Sequence, residues 1–259
     1  MSAETNVLKI AVLIKQVPDI NAVGVDPVTH NAVLGGDRVM NTYDAYAVGE
    51  ALAIRDRCGA HVTAITAGPP AARDVLLRAL ATGVDEAILI DLPQHNELDS
   101  LATARTIAAE IAKHDFDLVL AGQSTDDYET GQVGPQIAET LDWPHVSLVT
   151  HVEIVGRTLR VNRDAEASKE TVEAPLPSVL MVLSGRDGQE RYPTLKGMMA
   201  AKKKTIPIVE IADHDSSPQL EWSIPVAVER DSKGIILQDV AADAAVSQLV
   251  SWLKEQKLI

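Results

Sequence analysis

The feature that most constrains the fold is an alternation in the first part of the chain, where short aliphatic runs are each followed by a stretch with helical spacing. Leu8 to Ile14 (LKIAVLI) lacks a regular polar alternation, as expected of a strand covered on both faces, and such strands belong to parallel sheets. Helical spacing follows from Ala45 to Arg57, with Asp44 in the expected N-cap region and Gly59 as terminator. His61 to Ala67 is the next strand. It runs into Gly68-Pro69-Pro70, where proline suits a helix start because a first-turn N–H has no intrahelical acceptor. Helix Ala71 to Ala81, strand Glu86 to Ile90, helix Ser100 to His114, strand Asp117 to Ala121 and helix Thr130 to Leu141 continue the series. This succession predicts an α/β fold with a doubly wound, mostly parallel sheet.

After Pro144 the pattern changes. Val146 to Val155, Thr158 to Arg163, Thr171 to Ala174 and Ser178 to Ser184 read as an antiparallel β extension with polar turns such as Gly156-Arg157. A helix-like basic segment begins at Arg191, and an irregular acidic stretch runs from Asp213 to Ser223. Val240 to Gln256 forms an amphipathic helix with Val246, Leu249, Val250 and Leu253 on one face, free to pack on its own domain or on a partner chain. The expected organisation is an α/β domain over 1–212 and a C-terminal helical arm over 213–259.

In a doubly wound sheet the ligand crevice lies outside the carboxyl ends of the strands, where the strand order reverses. That directs attention to Lys15 to Asp19, Asn41 to Asp44, Ala67 to Pro70 and Gly122 to Gly134. Several chemistries are excluded by missing signatures. The chain has no GxxxxGK[ST], no GxGxxG after a strand, no HExxH, no CxxC and no GxSxG. None of the seven histidines forms an i, i+4 pair, so no metal site is expected. The single cysteine, Cys58, rules out an intrachain disulfide and is expected to be a buried or half-buried thiol.

Charge and hydropathy narrow the partners. A formal net charge of −14 disfavours nucleic acid and anionic lipid. No apolar run is long enough to span a bilayer, and the first residues lack a secretory pattern, so a cytoplasmic location without membrane insertion is expected.

The most informative segment is Ala121 to Pro135 (AGQSTDDYETGQVGP), which sets glycines, hydroxyls and amides between a strand end and a helix start. Helix N-terminal amides, the Thr130 hydroxyl and the Gly131 backbone offer an anion site, and Gly134 permits close approach of a nucleotide or a neighbouring helix. The same residues also make an ordinary turn and cap. Asp126, Asp127 and Glu129 would repel a phosphate unless they point away, toward ribose hydroxyls or a partner.

Taken in order, LIKQVPD (Leu13 to Asp19), NTYDAYAVGEAL (Asn41 to Leu52), TAGPP (Thr66 to Pro70), DLVLAGQSTDD with TGQVGPQIAE (Asp117 to Glu139) and RYPTLKGMMAAKKK (Arg191 to Lys204) resemble the β subunit of electron-transfer flavoproteins over nearly the whole chain. The resemblance implies a Rossmann-like, adenine-nucleotide-hydrolase-like fold and a heterodimer with an α subunit that carries most of one FAD site. It further implies a nucleotide bound by the β fold itself, either AMP or a second FAD. The matching positions are Leu13, Lys15, Asn41, Thr42, Tyr43, Asp44, Ala67 and Gly68. In the loop they are Gly122, Gln123, Ser124, Thr125, Asp127, Thr130, Gly131, Gln132 and Val133.

Ile20 after Asp19 and the short DDYETGQ loop resemble the subunits that bifurcate electrons from NADH, which leans the reading toward FAD. Thr42 in place of a common proline, Asp126 and Gly131 depart from that pattern, so AMP stays open. The last motif resembles the family's docking loop, with Leu195 as the protruding residue beside Tyr192 and Lys196. An apolar anchor with a basic rim suits that task, although Leu195 also suits the start of a helix leading into Met198 and Met199. The implied partners are acyl-CoA or other dehydrogenases and a quinone- or ferredoxin-type acceptor. A different class, a stand-alone adenine-nucleotide-binding module or ATP-using enzyme of universal-stress-like fold, remains the alternative.

Overall fold

The computed structural model describes residues 7–92, 99–184, 190–210, 218–220 and 235–259. Strand β1 (Lys9–Leu13) leads through a short ribbon strand β2 (Gln16–Pro18) into a second small ribbon, β3 (Gly24–Val25) and β4 (Ala32–Val33), then β5 (Arg38–Met40) and helix α1 (Thr42–Cys58). The polar, turn-rich stretch from Asp19 to Asp37 contains one strand pair, β3 with β4, and is bracketed by another, β2 with β5. Next come β6 (His61–Gly68), a 3-10 turn over Pro70–Ala72, α2 (Arg73–Thr82), β7 (Glu86–Asp91), α3 (Ser100–Ile111), β8 (Leu118–Gly122) and α4 (Val133–Leu141). Then follow β9 (His145–Val155), β10 (Thr158–Ala165), β11 (Ser168–Pro175), β12 (Ser178–Val182), α5 (Leu195–Ala201), β13 (Ile208–Glu210) and α6 (Ala242–Glu255).

One sheet runs β11-β10-β9-β12-β8-β1-β6-β7-β13. From β9 to β13 every neighbouring pair is parallel, and only β10 and β11 are antiparallel. The antiparallel extension is thus smaller than expected. Ser178 to Val182 belongs to the parallel core between β9 and β8, and its five residues are all buried. Its aliphatic run, SVLMV, carries the signature of a strand covered on both faces and outweighs its neighbourhood in the chain.

Two apolar layers flank the sheet. Ile10, Val12, Leu52, Leu76 and Leu120 lie in one, with α1 and α2. Ala11, Ile65, Ile107, Val119 and Ile137 lie in the other, with α3 and α4. Alternate residues of β1 and β8 point to opposite layers, which explains their unbroken aliphatic character.

The chain forms two compact units, Met1–Pro225 and Val226–Ile259; the expected boundary at 212/213 and most of the acidic Asp213 to Ser223 stretch lie outside the described residues. In the second unit, Val246, Leu249 and Val250 of α6 are exposed. Cys58 is exposed rather than buried, because it ends α1 just before Gly59, whose left-handed φ of 76° turns the chain outward. No helix among the described residues is long and apolar enough to cross a membrane.

Candidate functional site

The strand order reverses at β1: the chain adds β6 and β7 on one side and then crosses back to place β8 on the other. At the carboxyl ends of these strands lies a crevice of about 1200 Å³, part of it open to solvent. Its floor is apolar, from Leu13, Ile65, Ala67, Ile107 and Met181. Its rim is polar, from Lys15, Asp44 and the loop after β8.

The rim is held by the first turn of α1. Asn41, not Asp44, is the N-cap residue. Its side chain donates to the Ser124 carbonyl at 2.8 Å and accepts from the Asp126 amide at 2.9 Å, while its own amide donates to the Lys15 carbonyl at 3.0 Å. Asp44 sits inside the first turn, 5% exposed. Its carboxylate accepts the Lys15 amide at 2.7 Å and the Gly122 amide at 3.1 Å, joining the ends of β1 and β8. Burial pushes the Asp44 carboxyl up to about 7, against the lowering pull of Asn41, the two amides and Lys15.

Two of the loop acids, Asp126 and Asp127, are occupied within the protein. Asp126 accepts from the Thr42 amide and hydroxyl, both at 2.9 Å. Asp127 pairs with the Lys15 ammonium at 2.7 Å, which also stands 4.8 Å from the centre of the Tyr128 ring. Neither acid therefore projects a free carboxylate at the crevice. Gly131 has φ of 61°, which favours glycine, and a side chain there would press on the Gln123 carbonyl at 3.0 Å.

Helix α4 begins at Val133, so Thr130 and Gly131 precede it and Gln132 is its N-cap. The amides of Val133 and Gly134 lie in the first turn and have no acceptor within the helix, and both residues line the crevice. Gly134 is closely approached, but by Met181 of β12, whose sulfur occupies the space of a would-be Cβ.

The crevice brings together Leu13, Lys15, Asp44, Ala67, Gly122 and Ser124, and from the rest of the loop Thr125, Thr130, Gly131, Gln132 and Val133. Asn41, Thr42, Tyr43, Gly68, Gln123 and Asp127 are not on its wall. Several of them brace it from behind. Gln123 accepts the Leu148 amide at 2.6 Å, Asn41 and Thr42 hold the loop, and a side chain at Gly68 would crowd Ala72 at 3.2 Å.

Sequence reasoning passed over the wall supplied by α3. Asp99 caps that helix, accepting the Ala102 amide at 2.8 Å, and also holds the amides of Gln219 and Leu220 at 2.5 and 3.1 Å. Burial raises the Asp99 carboxyl, yet these amides outweigh it and hold the group below the usual carboxylate range. The Ser100 hydroxyl donates to the Gln132 side chain at 3.0 Å, tying α3 to the start of α4. The Asp-Ser pair at a helix start was a readable capping signal; the contact with 218–220 had no local signal.

Comparison with known proteins bears on this geometry directly. The model of the electron transfer flavoprotein domain matches residues 32–214. An electron transfer flavoprotein subunit beta of Clostridium acetobutylicum is 37% identical over 97% of this chain and 100% of its own length. The caffeyl-CoA reductase-Etf complex subunit CarD of Acetobacterium woodii is 36% identical over 97% and 100%, and protein FixA of Sinorhizobium fredii is 36% identical over 77% and 73%. The chain belongs to the electron transfer flavoprotein β-subunit family. Its role is electron transfer, and β subunits of this family work with an α subunit.

The stretch expected to dock a partner lies around α5. Tyr192 is 70% and Leu195 73% exposed, and Lys196 is exposed as well. Thr194 caps the helix by accepting the Gly197 amide at 3.0 Å, so Leu195 both opens α5 and projects from it. The segment is tied down on both sides, by Arg78 to Glu190 at 2.8 Å, Arg191 to Asp56 at 2.9 Å and Lys204 to the Val84 carbonyl at 3.2 Å.

Proposed function

We propose that this chain pairs with an electron transfer flavoprotein α subunit and that its crevice binds an adenine nucleotide, FAD rather than AMP. The observation that carries the reading is the crevice itself. It stands at the reversal point of a doubly wound sheet, outside the carboxyl ends of the strands, and joins an apolar floor to a polar rim. The preference for FAD rests on Ile20 and the short 126–132 loop, which resemble those of the subunits that bifurcate electrons.

The residues present fit such a group. The Ser124 hydroxyl oxygen is buried on the crevice wall with no hydrogen-bond partner, and the first residues of α4, Val133 and Gly134, line the same space. Leu13, Ile65, Ala67 and Ile107 offer an apolar bed for a ring system, and the 122–134 loop offers amides for phosphate. Bound FAD supplies the redox chemistry, including acceptance of hydride from NADH. This chain's residues bind, orient and exclude water: the Asp44 and Asn41 braces hold the loop amides in place, and Met181 closes the floor against α4. No side chain acts as general acid or base.

Leu195, with Tyr192 and Lys196, is the proposed docking point for a dehydrogenase. CarD belongs by name to a caffeyl-CoA reductase complex, which supports an acyl-CoA-type partner. A quinone- or ferredoxin-type acceptor completes the proposed route.

The test is to co-express the chain with an α subunit, release the nucleotides by denaturation and count them per heterodimer. Two FAD and no AMP is the expected result. One FAD with one AMP would make the crevice a structural nucleotide site, and no complex together with bound ATP would favour a stand-alone nucleotide-binding module.

A further inference from the structure

We propose that a nucleotide entering the crevice is taken up together with one proton, and that this proton goes to the carboxylate of Asp44. The inference rests on the crevice being a nucleotide site and adds a linkage to it. A nucleotide phosphate brings negative charge into a space whose wall, among the described residues, includes the carboxyls of Asp44 and Asp99 and a single cation, Lys15. That cation is already paired with Asp127 at 2.7 Å. The crevice therefore has little positive charge to spare, and an anion must rely on backbone amides.

Of the two carboxyls, Asp99 accepts three amides and is held ionised. Asp44 differs. It is buried, accepts only two backbone amides, and one of them is the amide of Gly122, where the loop proposed to receive phosphate begins. Among the described residues, the charged groups that accompany it at the crevice are few. Lys15 stands at the end of β1, Tyr43 adjoins it on α1, Asp126, Asp127 and Tyr128 come from the loop after β8, and Met181 of β12 carries no charge. Among the described residues no histidine lines the crevice.

Burial has already raised the carboxyl to about 7, so a second negative charge nearby moves it further in the same direction. The balance is simple: buffer supplies H+, an Asp44 oxygen accepts it, and no other bond is made or broken. By linkage, nucleotide affinity then falls as pH rises above neutrality, with a limiting slope of about tenfold per pH unit for one proton.

The experiment is calorimetric titration of the full chain with FAD at pH 6 and pH 8, in two buffers of different ionisation enthalpy. FAD is the probe because its phosphates are diesters, whereas a phosphomonoester titrates near pH 6. The expected result is a threefold to tenfold weaker affinity at pH 8, with net proton uptake near neutrality. Asp44→Asn should remove both the pH dependence and the uptake. Should that variant fail to fold, infrared difference spectra of the wild-type chain decide, since uptake produces a protonated-carboxylic-acid band when FAD is added. Binding without pH dependence, or an unchanged slope in Asp44→Asn, overturns the inference while leaving the nucleotide site standing. Absence of FAD binding at either pH removes both.

Discussion

The rim of the crevice and the segment around α5 are built from similar material, short loops of small and polar residues that lead into a helix, yet they use it in opposite ways. At the rim nearly every polar group faces inward on another: Asn41, Asp44, Thr42, Asp126, Lys15 and Asp127 form one continuous set of bonds across β1, α1 and the loop after β8. Around α5 the ties lie at the flanks, and the residues between them, Tyr192, Leu195, Met198 and Met199, are exposed. One region is bonded to itself around a crevice; the other leaves large apolar side chains exposed. Changes at the rim should therefore appear first in folding and pocket order, and changes around α5 in association alone.

The sharpest way to break that contrast is Gly122→Ala. A Cβ at this position would run into the Asp44 carboxylate, and would stand 2.7 Å from the Tyr43 Cβ and 2.9 Å from the Asp44 backbone nitrogen. Backbone cannot give way as a flexible side chain can, so the variant is expected to lose about 3 kcal/mol or more and to bind no nucleotide. Denaturant melts of the two chains measure it, and a loss below about 1 kcal/mol would show that α1 can slide without harm.

The next effect is one of pH. A carboxyl whose folded pKa is raised binds its proton more tightly in the folded than in the unfolded chain, so its contribution is greatest at low pH. It declines as pH rises from about 4 to about 7. Asp56, Asp99 and Glu110 are all held low, and their contribution is lost only as pH falls below about 4. Between pH 5 and 7.5 the wild-type chain should thus become less stable, by at most about 1.4 kcal/mol per unit from this group. Asp44→Asn should be less stable at both pH values, because its amide cannot accept both backbone N–H groups. Its deficit should nevertheless shrink as pH rises, and a constant deficit would contradict the assignment.

Gly134→Ala probes the same rim at a softer point. The new methyl meets the Met181 side chain rather than backbone, and methionine can turn aside. The expected cost is about 1–3 kcal/mol with altered nucleotide affinity, since Met181 also forms part of the crevice floor.

How much of this was legible beforehand follows from the range of the interactions. The parallel strands were readable because burial on both faces leaves an aliphatic run in the local sequence, and so was the crevice, because chain order places it at the strand ends. The role of Asp44 was not. At the start of a helix an aspartate reads as a cap, and only the approach of residues 29 and 78 positions away turns it into a buried clasp. Gly134 likewise read as room for a nucleotide or a neighbouring helix, while the close neighbour is Met181, from a strand that the sequence pattern assigned to the antiparallel extension. Of the crevice residues at the start of α3, Asp99 and Ser100 carried a capping signal, but nothing in it pointed to the crevice.

Leu195→Ala gives the smallest structural effect and so tests the other side of the contrast most cleanly. The side chain is 73% exposed, and the cap at Thr194 uses the Gly197 amide rather than Leu195. Little apolar area leaves water when the chain folds, so stability should change by no more than about 0.5 kcal/mol. Nucleotide content should be unchanged, because no rim bond involves α5. If Leu195 is an anchor at a dehydrogenase surface, truncation should still cost roughly 1–2 kcal/mol of association, a five- to thirtyfold weaker apparent affinity in an electron-transfer assay against partner concentration. A parallel loss of stability would mean that α5 is part of the framework. Unchanged transfer would take Leu195 out of the docking role and leave the exposed methionines, Met198 and Met199, as the apolar residues of α5 still available to a partner.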